Sequence, residues 1–210
     1  MLQKLNILDV GGGAGLILKI IANEIENKYG VKVNKYLLDL SPLALEIQKK
    51  TNPDWKKALN ENICNTSLQT KEIDLTLMID VLEHIPDPIL ALKEIRRVSK
   101  FMILKVPLEY NLYYNIGDLL KKGKFRRQQI ETYGHINVYD FSELKSQIEK
   151  YAGKVSSYEF TNAHQYRLSK NNMGLRSKAI NSIASHLYRL SPTLCSRIFF
   201  DHVIALLECY

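Results

Sequence analysis

The 210 residues are enough for one domain with a full core, and an apolar fraction of 46% with 24% charged residues is ordinary for a globular protein. Cys64, Cys195 and Cys209 are scattered and odd in number, which excludes a disulfide framework and a cysteine metal spacing and makes a reducing cytoplasm the expected compartment. No apolar run is long enough to span a bilayer, and the first residues enter a strand pattern rather than a signal peptide.

In chain order, the run Leu5 to Val10 predicts a strand that ends in an acid, Asp9, and is followed by Gly11-Gly12-Gly13-Ala14-Gly15. A helical pattern then runs from Leu16 to Tyr29. Strand, glycine turn and helix in that order bring bare backbone to a nucleotide-like ligand at a helix N-terminus. A dinucleotide fingerprint starting at Gly11 requires glycine where Leu16 stands, and one starting at Gly12 requires it where Ala14 stands. The spacing present is D-x-G-x-G-x-G, through Asp9, Gly11, Gly13 and Gly15.

Val33 to Leu38 reads as the second strand, and Asp39 follows it. A carboxylate there can accept hydrogen bonds from both ribose hydroxyls of a nucleoside. Ser41-Pro42 opens a helix to Lys50, with serine as N-cap and proline at the first helical position. A weaker strand lies near Lys57 to Leu59, a strand at Leu75 to Ile79, a helix at Ile89 to Ser99 behind Asp87-Pro88, and a strand at Phe101 to Val106. Asp140 opens a helix to about Tyr151. Val155 to Thr161 alternates as a strand, Leu175 to Leu190 recurs at helical spacing, and His202 to Cys209 reads as a final strand.

The ordered set Asp9 to Gly15, Asp39-Leu40, Asn62-Ile63-Cys64 and Asp80-Val81-Leu82-Glu83-His84-Ile85 resembles the class I S-adenosylmethionine (SAM) dependent methyltransferases. Within them it resembles the small-molecule group that includes ubiquinone-biosynthesis O-methyltransferases. The resemblance implies an α/β fold, a Rossmann-like three-layer αβα sandwich with a seven-stranded, mostly parallel sheet whose last strand is antiparallel. It implies a single domain over 1–210, with inserts at about 107–139 and 162–200 over the active site. SAM is the implied cofactor and S-adenosylhomocysteine its product. Asp9, Gly11, Gly13 and Gly15 are the implied cradle, Leu40 the platform for the adenine face, and Asn62 and, through its backbone, Ile63 the partners of the adenine edge. Asp80 and Leu82 are the implied lining of the methionine half. The family usually carries an acid at the position of Asn62; the amide oxygen can still accept from an exocyclic amine, and a loop-stabilising asparagine is the competing reading.

An oxygen acceptor needs its proton removed, and His135 in the first insert is the leading candidate base, equally readable as a histidine fixing the Gly134 turn. His164 is a second candidate. His84 is expected to lock its own loop. Tyr110, Tyr113 and Tyr114 read either as an acceptor wall or as a helix face on the core.

The net charge of +7 is uneven: no acid lies between Glu159 and Asp201, and Lys121, Lys122, Lys124, Arg126 and Arg127 form a second basic cluster. Both clusters fall in the expected inserts. A small, anionic or lipid-linked acceptor is therefore expected, with nucleic acid and peripheral membrane contact as lesser partners. No D/N-P-P-Y, Pro-Cys nucleophile or grouped cysteines occur, which leaves an oxygen or simple nitrogen acceptor. A methyltransferase-like binding module without catalysis is the alternative. Because the first strand starts close to Met1, an open cofactor site is expected, covered by the inserts or by a partner chain.

Overall fold

A strand buried on both faces should be nearly continuous in apolar residues, and β1 (Lys4–Val10) meets that description over its last four residues. It lies between β2 (Lys32–Leu38) and β4 (Ile73–Ile79), parallel to both, with Val10 opposite Leu38 on one side and Met78 on the other. The computed structural model describes residues 4–170 and 173–210, except the side chains of residues 125, 128 and 129. Its seven strands form one sheet in the order β3-β2-β1-β4-β5-β7-β6, where β3 is Lys57–Leu59, β5 Ser99–Leu108, β6 Gly153–Phe160 and β7 Asp201–Cys209. β7 runs antiparallel to both neighbours, and the other pairings are parallel. The chain order reverses between β1 and β4, which opens a crevice at the carboxyl ends of those two strands.

Alternation along β1 sends Ile7 and Leu8 into opposite layers. Ile7 meets Leu18 and Ala22 of α1 (Leu16–Tyr29) and Leu45 of α2 (Pro42–Thr51). Leu8 belongs to the larger core with Leu92 and Ile95 of α3 (Pro88–Val98) and with Leu144 and Ile148 of α6 (Phe141–Tyr151). The expected helix starts are present: Ser41 accepts from the Ala44 amide at 3.3 Å, Asp87 from Leu90 at 3.0 Å and Asp140 from Glu143 at 2.8 Å. Several boundaries shift by one or two residues, most visibly between α3 and β5. α3 stops at Val98, and Ser99 already pairs with Ile73 as the start of β5, which runs on to Leu108.

The first insert holds α4 (Leu112–Leu120) and α5 (Lys124–Tyr133), and the second holds α7 (Ala163–Leu168), α8 (Leu175–Leu190) and α9 (Pro192–Ile198). Leu108 at the end of β5 lies opposite Asp201 at the start of β7, so both inserts leave the same sheet edge. They meet there: the Tyr114 ring stacks on Phe200 at 5.6 Å. Among the described residues no helix is long and apolar enough to cross a membrane.

Candidate active site

The glycine loop is fastened to the sheet by the Gly11 amide, which donates to the Leu38 carbonyl at 2.8 Å. At Gly12 a Cβ would stand 2.0 Å from the Asp9 carboxylate, so the loop lies directly on that acid. At Gly15 (φ +72°) a Cβ would come within 2.7 Å of the Asn52 amide, whose nitrogen donates to the Gly15 carbonyl at 3.0 Å. Gly13 has nothing within 4 Å of its Cβ position and presents bare backbone outward. α1 follows with no side-chain N-cap, leaving its first amides to face the crevice.

Asp9 is buried beneath this loop, and its Oδ2 has no hydrogen-bond partner among the described residues. Burial, and secondarily the charge of Asp39, push its carboxyl up to about 7. Such a group is satisfied by a cation, and the amino-acid end of SAM carries one.

Asp39 is held at the end of β2. One carboxylate oxygen accepts from the Ser41 amide at 2.9 Å and the other from the Gln48 side chain at 2.9 Å. Each oxygen keeps a further lone pair for a ribose hydroxyl. Asn60 donates to the carbonyls of Asp39 and Leu40 at 2.9 and 3.0 Å, so the backbone beyond β2 is clamped. Leu40 is 70% exposed and is not a core residue, as a stacking platform requires. Gln48, Asn52 and Asn60 were not singled out from the sequence, since amides in and around a helix carry no spacing signal.

Other expected contacts take different forms. The Asn62 Oδ1 accepts from the Cys64 amide at 2.9 Å, which holds its own turn and leaves the oxygen a second lone pair for an exocyclic amine. Ile63 and Leu82 are buried in the main core. Their side chains pack there, with the 3-10 turn Leu82–His84 carrying Leu82 inward, which leaves the expected ligand contacts to their backbone. Asp80 sits at the tip of β4 with φ +54°, and Lys105 on the neighbouring β5 binds both its carboxylate oxygens.

Beyond Asp80 opens a cleft of about 350 Å³ between β4, β5, β7 and the inserts. His135 lines it, with Nδ1 3.0 Å from the Glu109 Oε2. A carboxylate offers only acceptors, so Nδ1 carries the hydrogen and Nε2 keeps its lone pair. His84 donates from Nδ1 to the Gly134 carbonyl at 3.1 Å, locking its loop as expected, and its ring meets His135 edge-on at 4.9 Å. Glu83 is fully buried, with both carboxylate oxygens unpartnered among the described residues, and burial raises it to about 7. One ligand atom each from Glu83, His84 and His135 lies within 4.8 Å of the others, a set able to hold a divalent cation. His202 faces the same cleft, and burial followed by Lys105 lowers it to about 4, which makes it a weak base.

The tyrosines divide. Tyr114 lines the cleft, and burial raises its hydroxyl to about 12. Tyr113 packs near Phe199 at 6.1 Å, and Tyr110 lies under the Arg126 guanidinium at 5.1 Å. His164 is buried in α7 outside this cleft. Glu109, Arg167 and His202 complete the cleft, and no spacing in the sequence links them. A wider cavity of about 790 Å³, between α4, α6 and α9, holds none of the glycine loop, Asp39 or Asp80, so it is not the centre of this chemistry.

Residues 8–101 match the protein-family model described as "Methyltransferase domain". The chain is also similar to the ubiquinone biosynthesis O-methyltransferase of Acinetobacter baylyi, 23% identical over 94 residues, which is 45% of this chain and 39% of that protein. The match thus spans about two-fifths of that relative's length. Among solved structures, the geranyl diphosphate C-methyltransferase of Streptomyces coelicolor, solved with S-adenosylhomocysteine, superposes with a TM-score of 0.64 at 11% identity, covering 99% of this chain and 76% of that one. The MccD protein superposes with a TM-score of 0.63 at 13% identity, covering 100% of this chain and 92% of that one. The chain has the fold of the class I SAM-dependent methyltransferases, and SAM is the cofactor its cradle fits.

Proposed function

We propose that this chain is a SAM-dependent methyltransferase that moves a methyl group to an oxygen, or a simple nitrogen, of a small anionic or lipid-linked acceptor. The observation that carries this reading is the convergence of the glycine loop, Asp39 and Asp80 on the crevice between β1 and β4. Asp39 orients the ribose through two oxygens whose positions Ser41 and Gln48 fix. Asp9, under the loop, offers its unpartnered oxygen toward the ligand's ammonium group. Bound SAM supplies a sulfonium methyl whose bond to sulfur breaks as a bond to the acceptor forms.

The chain's contribution is alignment plus one proton. Proximity and orientation are worth about 7–11 kcal/mol in well-aligned systems, so no further catalytic group is required for a good nucleophile. For a hydroxyl acceptor, His135 takes the proton on Nε2, and Glu109 holds the ring and stabilises the imidazolium through Nδ1. Arg167 in the cleft wall supports an anionic acceptor. The name of the Acinetobacter relative supports oxygen as the acceptor atom, and that of the Streptomyces neighbour supports an anionic substrate. Exposed Leu112, Ile116, Leu119 and Leu120 on α4, next to the basic turn Lys121–Lys124, offer a place for an apolar tail.

The test is methyl transfer from labelled SAM into pooled small-molecule extracts. A labelled product that disappears with Asp39→Ala supports the reading. SAM binding without transfer to any extract component supports the binding module instead.

A further inference from the structure

A second cavity, of about 440 Å³, adjoins the acceptor cleft and shares Tyr114, Arg167 and Phe200 with it. Its remaining wall includes His164 of α7 and Arg176, Ser177 and Asn181 of α8. α8 begins behind Gly174, which supplies no side-chain cap, and has no acid in its first turn. Among the described residues, its first amides and the positive end of its dipole therefore lack a side-chain partner at this end. Arg176 in that turn and Arg167 add two guanidinium groups, and among the described residues no acidic side chain lines the cavity.

The deeper wall is more discriminating. His164 is 3% exposed, with Nδ1 2.9 Å from the Asn181 Oδ1. Asn181 Nδ2 donates to the Ser177 carbonyl at 2.8 Å, which fixes its oxygen as the acceptor toward His164. Nδ1 therefore carries the hydrogen, and Nε2 is a buried nitrogen with no partner among the described residues. Leaving such an atom unsatisfied is costly, and a ligand able to share a proton with it repays that cost. A phosphate group, with its second ionisation near pKa ~6, can donate to neutral Nε2 or accept from the protonated ring. A carboxylate, ionised at neutral pH, can only accept.

We propose that this cavity is a phosphate site for the acceptor, which is a small phosphate ester or diphosphate. Arg167, Arg176, His164 and the amides opening α8 hold its phosphoryl oxygens, and its body crosses the Tyr114–Phe200 stack toward His135. The reactive end of this picture rests on the methyltransferase reading; the anion site rests on its own residues.

The test follows the His164 imidazole resonances by NMR while the full chain is titrated with inorganic phosphate and with pyrophosphate, at constant ionic strength. A saturable shift at His164 is expected, with pyrophosphate tighter. Arg176→Ala is expected to weaken it by about tenfold or more, as loss of a charge-assisted hydrogen bond does. Arg189→Ala, at the other end of α8, is expected to bind as the unaltered chain does. Arg176 is exposed, so its truncation leaves the core intact. No saturable shift, equal affinity in Arg176→Ala, or the same shift with acetate overturns the proposal. So does a short single-stranded RNA that shifts His164 at lower concentration than pyrophosphate. S-adenosylhomocysteine is titrated into the same samples. Its binding without phosphate binding overturns the anion site alone, whereas phosphate binding without it supports the site and removes the methyltransferase reading.

Discussion

Replacing Asp9 by asparagine should make the ligand-free protein more stable while costing it the cofactor. The carboxyl is raised from 3.8 to about 7, chiefly by burial beneath the glycine loop and then by the charge of Asp39. A carboxyl raised on folding gives its full contribution only below its unfolded value and loses it as the pH climbs through the folded one. At 1.36 kcal/mol per pH unit, the accumulated cost of ionising Asp9 is about 2 kcal/mol at about pH 5.5 and about 4 kcal/mol at about pH 8.5. An amide does not titrate, so the advantage of Asp9→Asn over the unaltered chain should grow by about 2 kcal/mol between those pH values. Glu83, also raised to about 7, is present in both proteins and cancels from the difference. The assay is urea denaturation of both proteins across this range, paired with a SAM titration at the alkaline end. SAM affinity should fall by about tenfold or more in Asp9→Asn, because an ammonium group loses its charged partner. A stability difference that does not change with pH would show that Asp9 is ionised at little cost, and the unpartnered carboxylate would lose its place in cofactor binding.

Two further expectations concern other residues of the site. His135→Gln should lower methyl transfer to a hydroxyl acceptor by about 10²- to 10⁴-fold, with SAM affinity unchanged; steady-state rates and calorimetry on the same samples check both halves. Gly12→Ala should abolish SAM binding, because its Cβ would need to stand 2.0 Å from the Asp9 carboxylate and the loop must rise off it; a thermal-shift response to SAM equal to that of the unaltered chain would refute this.

What could be read from the chain alone follows the reach of each signal. The five strands from β1 to β5 are apolar runs bounded by turn residues, and all stand within a few residues of where their patterns place them. Gly11, Gly13 and Gly15 were legible because their spacing is local. Gly12 was not singled out, although its lack of a side chain is what lets the loop rest on Asp9. Asn62 was ambiguous because an amide oxygen serves a ligand or its own turn equally well, and the Cys64 contact, visible only in the fold, uses one of its two lone pairs. The Glu109–His135 pair joins residues 26 apart across the sheet edge, and no periodicity encodes that. α4 and α5 expose much of their apolar surface instead of facing the sheet, so neither stood out as a core-packing helix. Arg167 and His202 enter the cleft only because β7 inserts antiparallel beside β5, bringing both inserts to one place.

The most direct test is isothermal titration of the full chain with S-adenosylhomocysteine, alongside Asp39→Ala. Saturable binding at one site is expected for the unaltered chain. In Asp39→Ala it should be weaker by about tenfold or more, since two ribose hydrogen bonds to a charged oxygen pair are lost. Heats no larger than dilution for the unaltered chain, or equal affinity in the variant, would contradict the assignment of this crevice to the cofactor.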